Sequence, residues 1–140
     1  MPTKVAVVDS GVLVAAAHRS DRHHRACAEL LESLEFDFVV PAFCVAEACH
    51  FIAERAGPQV EAAFLSGLES LPVVAPESGD WERIAGLVRQ YAGFGLGGTD
   101  AAIVVLAEQL STDLIATLDH RHFRAIKPRH CEFFQLLPEL

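Results

Sequence analysis

Two short aliphatic runs, Val5-Ala6-Val7-Val8 and Leu114-Ile115-Ala116-Thr117-Leu118, each end on an aspartate, Asp9 and Asp119. Runs of this length and composition read as strands buried on both faces, as in parallel sheets. Parallel strands cannot be joined by a hairpin, so helices must carry the chain back between them. The spacing predicts helices over residues 12–17, 23–34, 42–55, 59–68, 81–91 and 100–110, and further short strands at 38–40, 71–75 and 133–137. On the helix over 23–34, Ala26, Leu30, Leu31 and Leu34 fall on one side. Gly57-Pro58 separates the third helix from the fourth. Ser20 or Asp21 is placed to cap the second, Ser78 the fifth, and Gly98 or Thr99 the sixth. The fold class is therefore α/β, a mainly parallel central sheet flanked by helices. Ligands of such folds bind beyond the carboxyl ends of the strands, where Asp9 and Asp119 lie.

The 140 residues contain no internal repeat, low-complexity tract or long linker, so residues 1–140 are expected to form a single domain. Its size suffices for a core without disulfides or zinc. Cys27, Cys44, Cys49 and Cys131 are irregularly spaced and read as reduced, mostly buried thiols. Cys44, Cys49 and His50 lack the second half of a zinc motif. With neither a signal-peptide pattern nor an apolar run long enough to span a membrane, the expected location is cytoplasmic, with no membrane partner. The net charge of −8 excludes nucleic-acid binding by bulk positive charge. It does not exclude a nucleic-acid enzyme with a metal-loaded acidic pocket.

Of the 19 acidic residues, Glu29, Glu32, Glu35, Glu54, Glu61, Glu69, Glu82 and Glu108 fall on faces expected to be solvated. Four others interrupt or abut strongly apolar segments. Asp9 ends the first strand, where it is equally able to cap the next helix. Glu47 sits among small apolar residues in Val45-Ala46-Glu47-Ala48-Cys49, unless it faces water at the first turn. Asp100 opens a helix too apolar for a surface, where pairing with the helix dipole is the bland explanation. Asp119 ends the late strand, where a turn is equally possible. Clustered carboxylates repel and raise one another's pKa unless a cation neutralises them. Hard oxygen ligands suit Mg²⁺ or Mn²⁺. Such an ion acidifies water and stabilises charge on a phosphoryl group, the chemistry of phosphodiester hydrolysis or phosphoryl transfer.

At these residues the chain resembles the PIN-domain family, specifically the VapC-type toxins of type II toxin–antitoxin pairs. The resemblance rests on Val8-Asp9-Ser10-Gly11, Val45-Ala46-Glu47, Gly98-Thr99-Asp100-Ala101-Ala102-Ile103 and Thr117-Leu118-Asp119-His120-Arg121-His122-Phe123, and covers nearly the whole length. It implies a PIN-like three-layer fold, a Mg²⁺- or Mn²⁺-dependent endoribonuclease with an RNA substrate, and inhibition by a cognate VapB-like antitoxin. By motif position Asp9, Glu47, Asp100 and Asp119 would form the catalytic, metal-binding site, supported by the hydroxyls of Ser10 and Thr117. Family members often carry a second hydroxyl residue where Gly11 stands, and a further acid where this chain has His120-Arg121-His122.

Two segments are locally basic. One carries Arg19, Arg22 and Arg25 against Asp21; the other carries Arg121, Arg124, Lys127 and Arg129 after Asp119. Arg19, Arg22, Arg121 and Arg124 are candidates for RNA phosphate contacts, with solubilising surface charge as the alternative. His120 and His122 could serve as a general acid, but metal-ion catalysis does not require one, so they read as surface or structural histidines. Phe36, Phe38, Phe43, Phe51 and Phe64 read as core or interface, and Phe94 as exposed. The apolar stretches 12–17 and 51–68 exceed what a small core needs and suggest a homodimer surface. A basic antitoxin segment is expected to reach into the acidic pocket. The competing reading is a catalytically silent PIN-like binding module with structural acids. Phosphatase and receiver-domain readings fit poorly: Gly11 stands where an Asp-x-Asp motif needs its second acid, and no acidic pair lies near the start.

Overall fold

The structure, a computed structural model, describes residues 3–140. Strand β1 (Lys4–Val8) leads into α1 (Ser10–Ala17) and α2 (His24–Glu32). Then come β2 (Phe36–Pro41), α3 (Ala42–Ala56), α4 (Pro58–Gly67), β3 (Val73–Val74) and α5 (Asp80–Gln90). The chain closes with α6 (Gly98–Gln109), β4 (Leu114–Ala116), α7 (His120–Ala125) and β5 (Gln135–Leu137). The five strands form one sheet in the order β3-β2-β1-β4-β5, parallel at every pairing. Val7 of β1 lies between Val39 of β2 and Ile115 of β4, and Val8 pairs with Ala116. Because β1 and β4 run side by side in the same direction, their carboxyl ends meet at one edge. That register carries Asp9 and Asp119 to the same place.

The core is built from the centre of the sheet and the helices against it. Ala6, Val7 and Val8 are fully buried, as the unbroken aliphatic run requires. Helix α6 buries every residue from Ala101 to Ala107, so it is an interior helix with its first turn at the sheet's carboxyl edge. Gly57 ends α3 with φ 85°, a conformation that favours glycine, and Pro58 begins α4 where a missing N–H costs nothing. Among the described residues no helix is long and apolar enough to cross a membrane.

The structure departs from the sequence reading in several places. Helix α2 ends at Glu32, and extended backbone at Ser33 throws Leu34 outward to 92% exposure; Cys27 is the helix's buried residue instead. Ser78 caps nothing: Gly79 precedes α5, and Asp80 accepts from the Glu77 N–H at 2.8 Å. Neither Gly98 nor Thr99 caps α6, because the helix already begins at Gly98. Neither Ser20 nor Asp21 caps α2: His23 holds that position, and Asp21 accepts from the His23 N–H at 2.8 Å in the turn ahead of the helix. Val12, Leu13, Val14 and Ala15 are core, packed beneath α2 and α3, so most of the first stretch expected to meet a second copy is already covered. Helix α4, by contrast, buries none of its residues. Phe94 is half-buried, held in a short 3₁₀ turn against His122.

Glu108 is not solvated. It pairs with Arg83 at 2.8 Å, joining α6 to α5, with the two side chains 15% and 20% exposed. Removing one member of a sheltered pair strands the other charge, whereas an open pair such as Arg89–Glu82 is screened by water. Arg83→Ala is expected to lower stability by about 2–3 kcal/mol, against under about 1 kcal/mol for Arg89→Ala. Urea unfolding of the two variants measures the difference.

Candidate active site

Three element ends and the second turn of α3 supply the four carboxylates singled out in the sequence. Asp9 follows β1 and is buried. Its Oδ1 accepts from the Ser10 N–H at 2.7 Å and the Ser10 hydroxyl at 3.3 Å; its Oδ2 accepts from the Thr117 hydroxyl at 2.8 Å. It therefore caps α1 and also points into the space between β1 and β4. Glu47, in the second turn of α3, accepts from the Ser10 hydroxyl and, at 3.3 Å, from that of Thr99. Asp100 lies in the first turn of α6. Asp119 follows β4 and caps α7, accepting from the His122 N–H at 3.2 Å.

The two supporting hydroxyls tie this set together. Ser10 touches both Asp9 and Glu47. Thr117 is fully buried, donates to Asp9 and accepts from the Asp119 N–H at 2.9 Å. One threonine thus fixes the carboxylate at the end of one strand and the backbone at the end of the next. All four acids line one open depression of about 740 Å³.

His122 joins them. Its Nδ1 stands 2.7 Å from Asp119 Oδ2 and 3.3 Å from Asp100 Oδ2. The sequence reading favoured a surface or structural role for this residue because it placed no helix after Asp119. Once α7 starts at His120, residues 119 and 122 share a face at i,i+3 spacing. The Phe94 ring packs edge-on against the imidazole at 5.4 Å between centroids. Thr99 and Arg55 also line the depression and were not anticipated; the Arg55 guanidinium lies 4.9 Å from the centre of the Phe51 ring.

The carboxylates are strained electrostatically. Burial pushes the Asp9 carboxyl above its ordinary range and the Glu47 charge adds to this; the hydrogen bonds from Thr117 and Ser10 oppose it. Burial also raises Asp100, from 3.8 to about 6. The charges of Asp9, Asp119 and Glu47 reinforce that shift, and His122 works against it. Such a site is made comfortable by a cation. The donors fit a divalent ion: carboxylate oxygens of Asp100 and Asp119 and a nitrogen of His122 lie within 4.8 Å of one another. The His122 Nδ1 is buried and has no hydrogen-bond partner. Cys44, Cys49 and His50 form no such group: Cys44 is buried, its thiol raised by burial, while His50 is exposed beside Glu54. All four cysteines are free.

The arginines divide. Arg22 lines the depression. Arg121 is exposed, its guanidinium 5.4 Å from the centre of the Phe94 ring. Arg124 lines a neighbouring hollow with His120 and Phe133. Arg19 is exposed and lines neither.

The sequence matches the PIN domain over residues 6–127. It is 33% identical over 134 residues to Ribonuclease VapC26 of Mycobacterium tuberculosis (strain ATCC 25618 / H37Rv), covering 94% of this chain and 99% of that protein. The fold is similar to the crystal structure of M. tuberculosis VapC20, a Sarcin-Ricin loop cleaving toxin. There the TM-score is 0.74 at 14% identity, covering 80% of this chain and 87% of that one. It is also similar to VapBC2 from Rickettsia felis bound to a DNA fragment from their promoter, with TM-score 0.68 and 14% identity, covering 96% and 99%.

Proposed function

The chain belongs to the PIN-domain family, and on that premise we propose that it is the endoribonuclease toxin of a toxin–antitoxin pair, dependent on Mg²⁺ or Mn²⁺. The observation that carries this reading is the convergence of Asp9, Glu47, Asp100 and Asp119 on one depression at the carboxyl edge of the sheet. Those four residues would hold the ion. When bound, it acidifies water and offsets the charge that develops on the phosphoryl oxygens. The chain's own groups do the rest. Thr117 and Ser10 fix both oxygens of Asp9, and Ser10 and Thr99 fix Glu47. Arg22 lines the depression and is placed to take RNA phosphates, with the exposed Arg121, Arg124 and Arg19 as further candidates. Cleavage leaves a 5′-phosphate and a 3′-hydroxyl.

Two partners go with this reading in a cytoplasmic setting. One is a VapB-like antitoxin whose basic segment enters the acidic depression. The other is a second copy of the chain meeting it across the uncovered face of α4, where Leu65 is exposed. Sedimentation of the purified chain tests the second.

The decisive experiment is incubation of the purified protein with total bacterial RNA under Mg²⁺, Mn²⁺ or chelator. Discrete 5′-phosphorylated fragments that require the metal are the expected result. Intact RNA in every lane, with folded and inhibitor-free protein, would overturn the nuclease in favour of a binding module. Thr117→Val supplies a finer test, since it removes a donor from Asp9 and an acceptor from the Asp119 N–H at nearly constant volume. Leaving those groups unpaired is expected to cost about 1–3 kcal/mol of stability. Loosening the carboxylates that would hold the ion is expected to lower cleavage by roughly 10–100-fold.

A further inference from the structure

We propose that His122 is a nitrogen ligand of the catalytic cation, and that it biases this site toward Mn²⁺ over Mg²⁺. The inference rests on the metal-nuclease reading and deepens it. The Nδ1 atom lies within 3.3 Å of carboxylate oxygens from two different elements, Asp119 after β4 and Asp100 on α6. The atom itself is shielded from solvent and still makes no hydrogen bond, although both oxygens lie within reach. An imidazole serving only as a carboxylate's hydrogen-bond partner would aim its N–H at one of them. A buried, unpartnered nitrogen between two acids is instead what a ligand looks like before its ion arrives. The ring is also held in place: its own backbone N–H donates to Asp119, and Phe94 packs against its edge. The donor atoms of Asp100, Asp119 and His122 are close enough together for one ion to span.

The selectivity follows from the donor types. Mg²⁺ prefers an all-oxygen set and gives up its waters reluctantly. Imidazole suits transition-metal ions, and Mn²⁺, a transition metal that also takes carboxylate and water, accepts a mixed nitrogen–oxygen set more readily than Mg²⁺ does. Replacing an oxygen donor by imidazole therefore costs Mg²⁺ more than Mn²⁺.

The test uses metal-free full chain loaded with Mn²⁺ and read by pulsed electron paramagnetic resonance. Coupling of the Mn²⁺ spin to ¹⁴N is expected in the wild type and in His23→Gln, which removes the other histidine lining the depression. It is expected to vanish in His122→Asp and His122→Asn. Calorimetric titration of both ions is expected to show the Mn²⁺:Mg²⁺ affinity ratio falling about tenfold in His122→Asp. Bound Mn²⁺ without ¹⁴N coupling in the wild type would overturn the ligand assignment alone. Coupling lost in His23→Gln but kept in His122→Asn would overturn it too. Failure of the wild type to bind either ion would overturn the metal-dependent reading along with it.

Discussion

Asp100→Asn is expected to lower RNA cleavage by about a thousandfold or more while raising the melting temperature of the metal-free protein near neutral pH. The two effects have one cause. Asp100 is largely buried and faces the charges of Asp9, Asp119 and Glu47, so its ionised form is held at a cost. Raising its pKa from 3.8 to about 6 corresponds to a penalty on the order of 3 kcal/mol. Asparagine keeps the shape and sheds the penalty, so a rise of several degrees, up to about 10 °C, is expected. It also sheds the charge that would hold the ion, so activity is lost. Asp9→Asn should be equally inactive but gain less stability. Asp9 accepts from Ser10 and Thr117 through both oxygens, and an amide offers only one acceptor. A gel assay and calorimetry on the same samples decide the matter. Full activity in Asp100→Asn would remove Asp100 from the site, and an unchanged or lowered melting temperature would refute the electrostatic account.

The sheet and the carboxylate set were legible because both depend on short-range rules. An aliphatic run too short for a helix and ended by an aspartate identifies β1, and the same pattern identifies β4. Their parallel pairing then brings Asp9 and Asp119 together without further information. Asp100 was legible because a carboxylate at the head of a fully apolar helix demands a reason, and α6 is buried from Ala101 to Ala107. What escaped were contacts whose logic is tertiary. His122 becomes a site residue only because α7 starts one residue after Asp119, and nothing apolar in His120-Arg121-His122 announces a helix. Thr99 resembles a helix cap, yet its hydroxyl is drawn across to Glu47 on α3. Glu108 looks like surface charge until Arg83 arrives from α5. Leu34 fits the apolar face of α2 by period but lies past the point where the helix unwinds.

The dependence of metal stabilisation on pH follows from the same carboxylates. In the folded protein Asp100 keeps its proton to about pH 6, whereas in the unfolded chain it releases it near 3.8. Between those values the folded state binds more protons than the unfolded one. Stability of the metal-free protein therefore falls as pH rises through this window and levels off above it. A divalent ion reverses that loss, because it binds the ionised site of the folded chain. Near pH 8 an ion at about a hundred times its dissociation constant contributes about 2.7 kcal/mol, or roughly 9 °C for a chain of this size. At pH 5 a carboxyl with a pKa of about 6 is mostly protonated, and the ion must displace that proton. Its apparent affinity falls about tenfold, and at the same concentration the gain drops to roughly 1.4 kcal/mol, about half. The raised pKa of Asp9 can only widen this difference. Thermal melts with and without Mn²⁺ at the two pH values, at constant ionic strength, measure it. Equal gains at both would mean that the ion does not bind where Asp100 titrates. In Asp100→Asn the contrast between the two pH values should shrink, since the principal proton that competes with the ion has been removed.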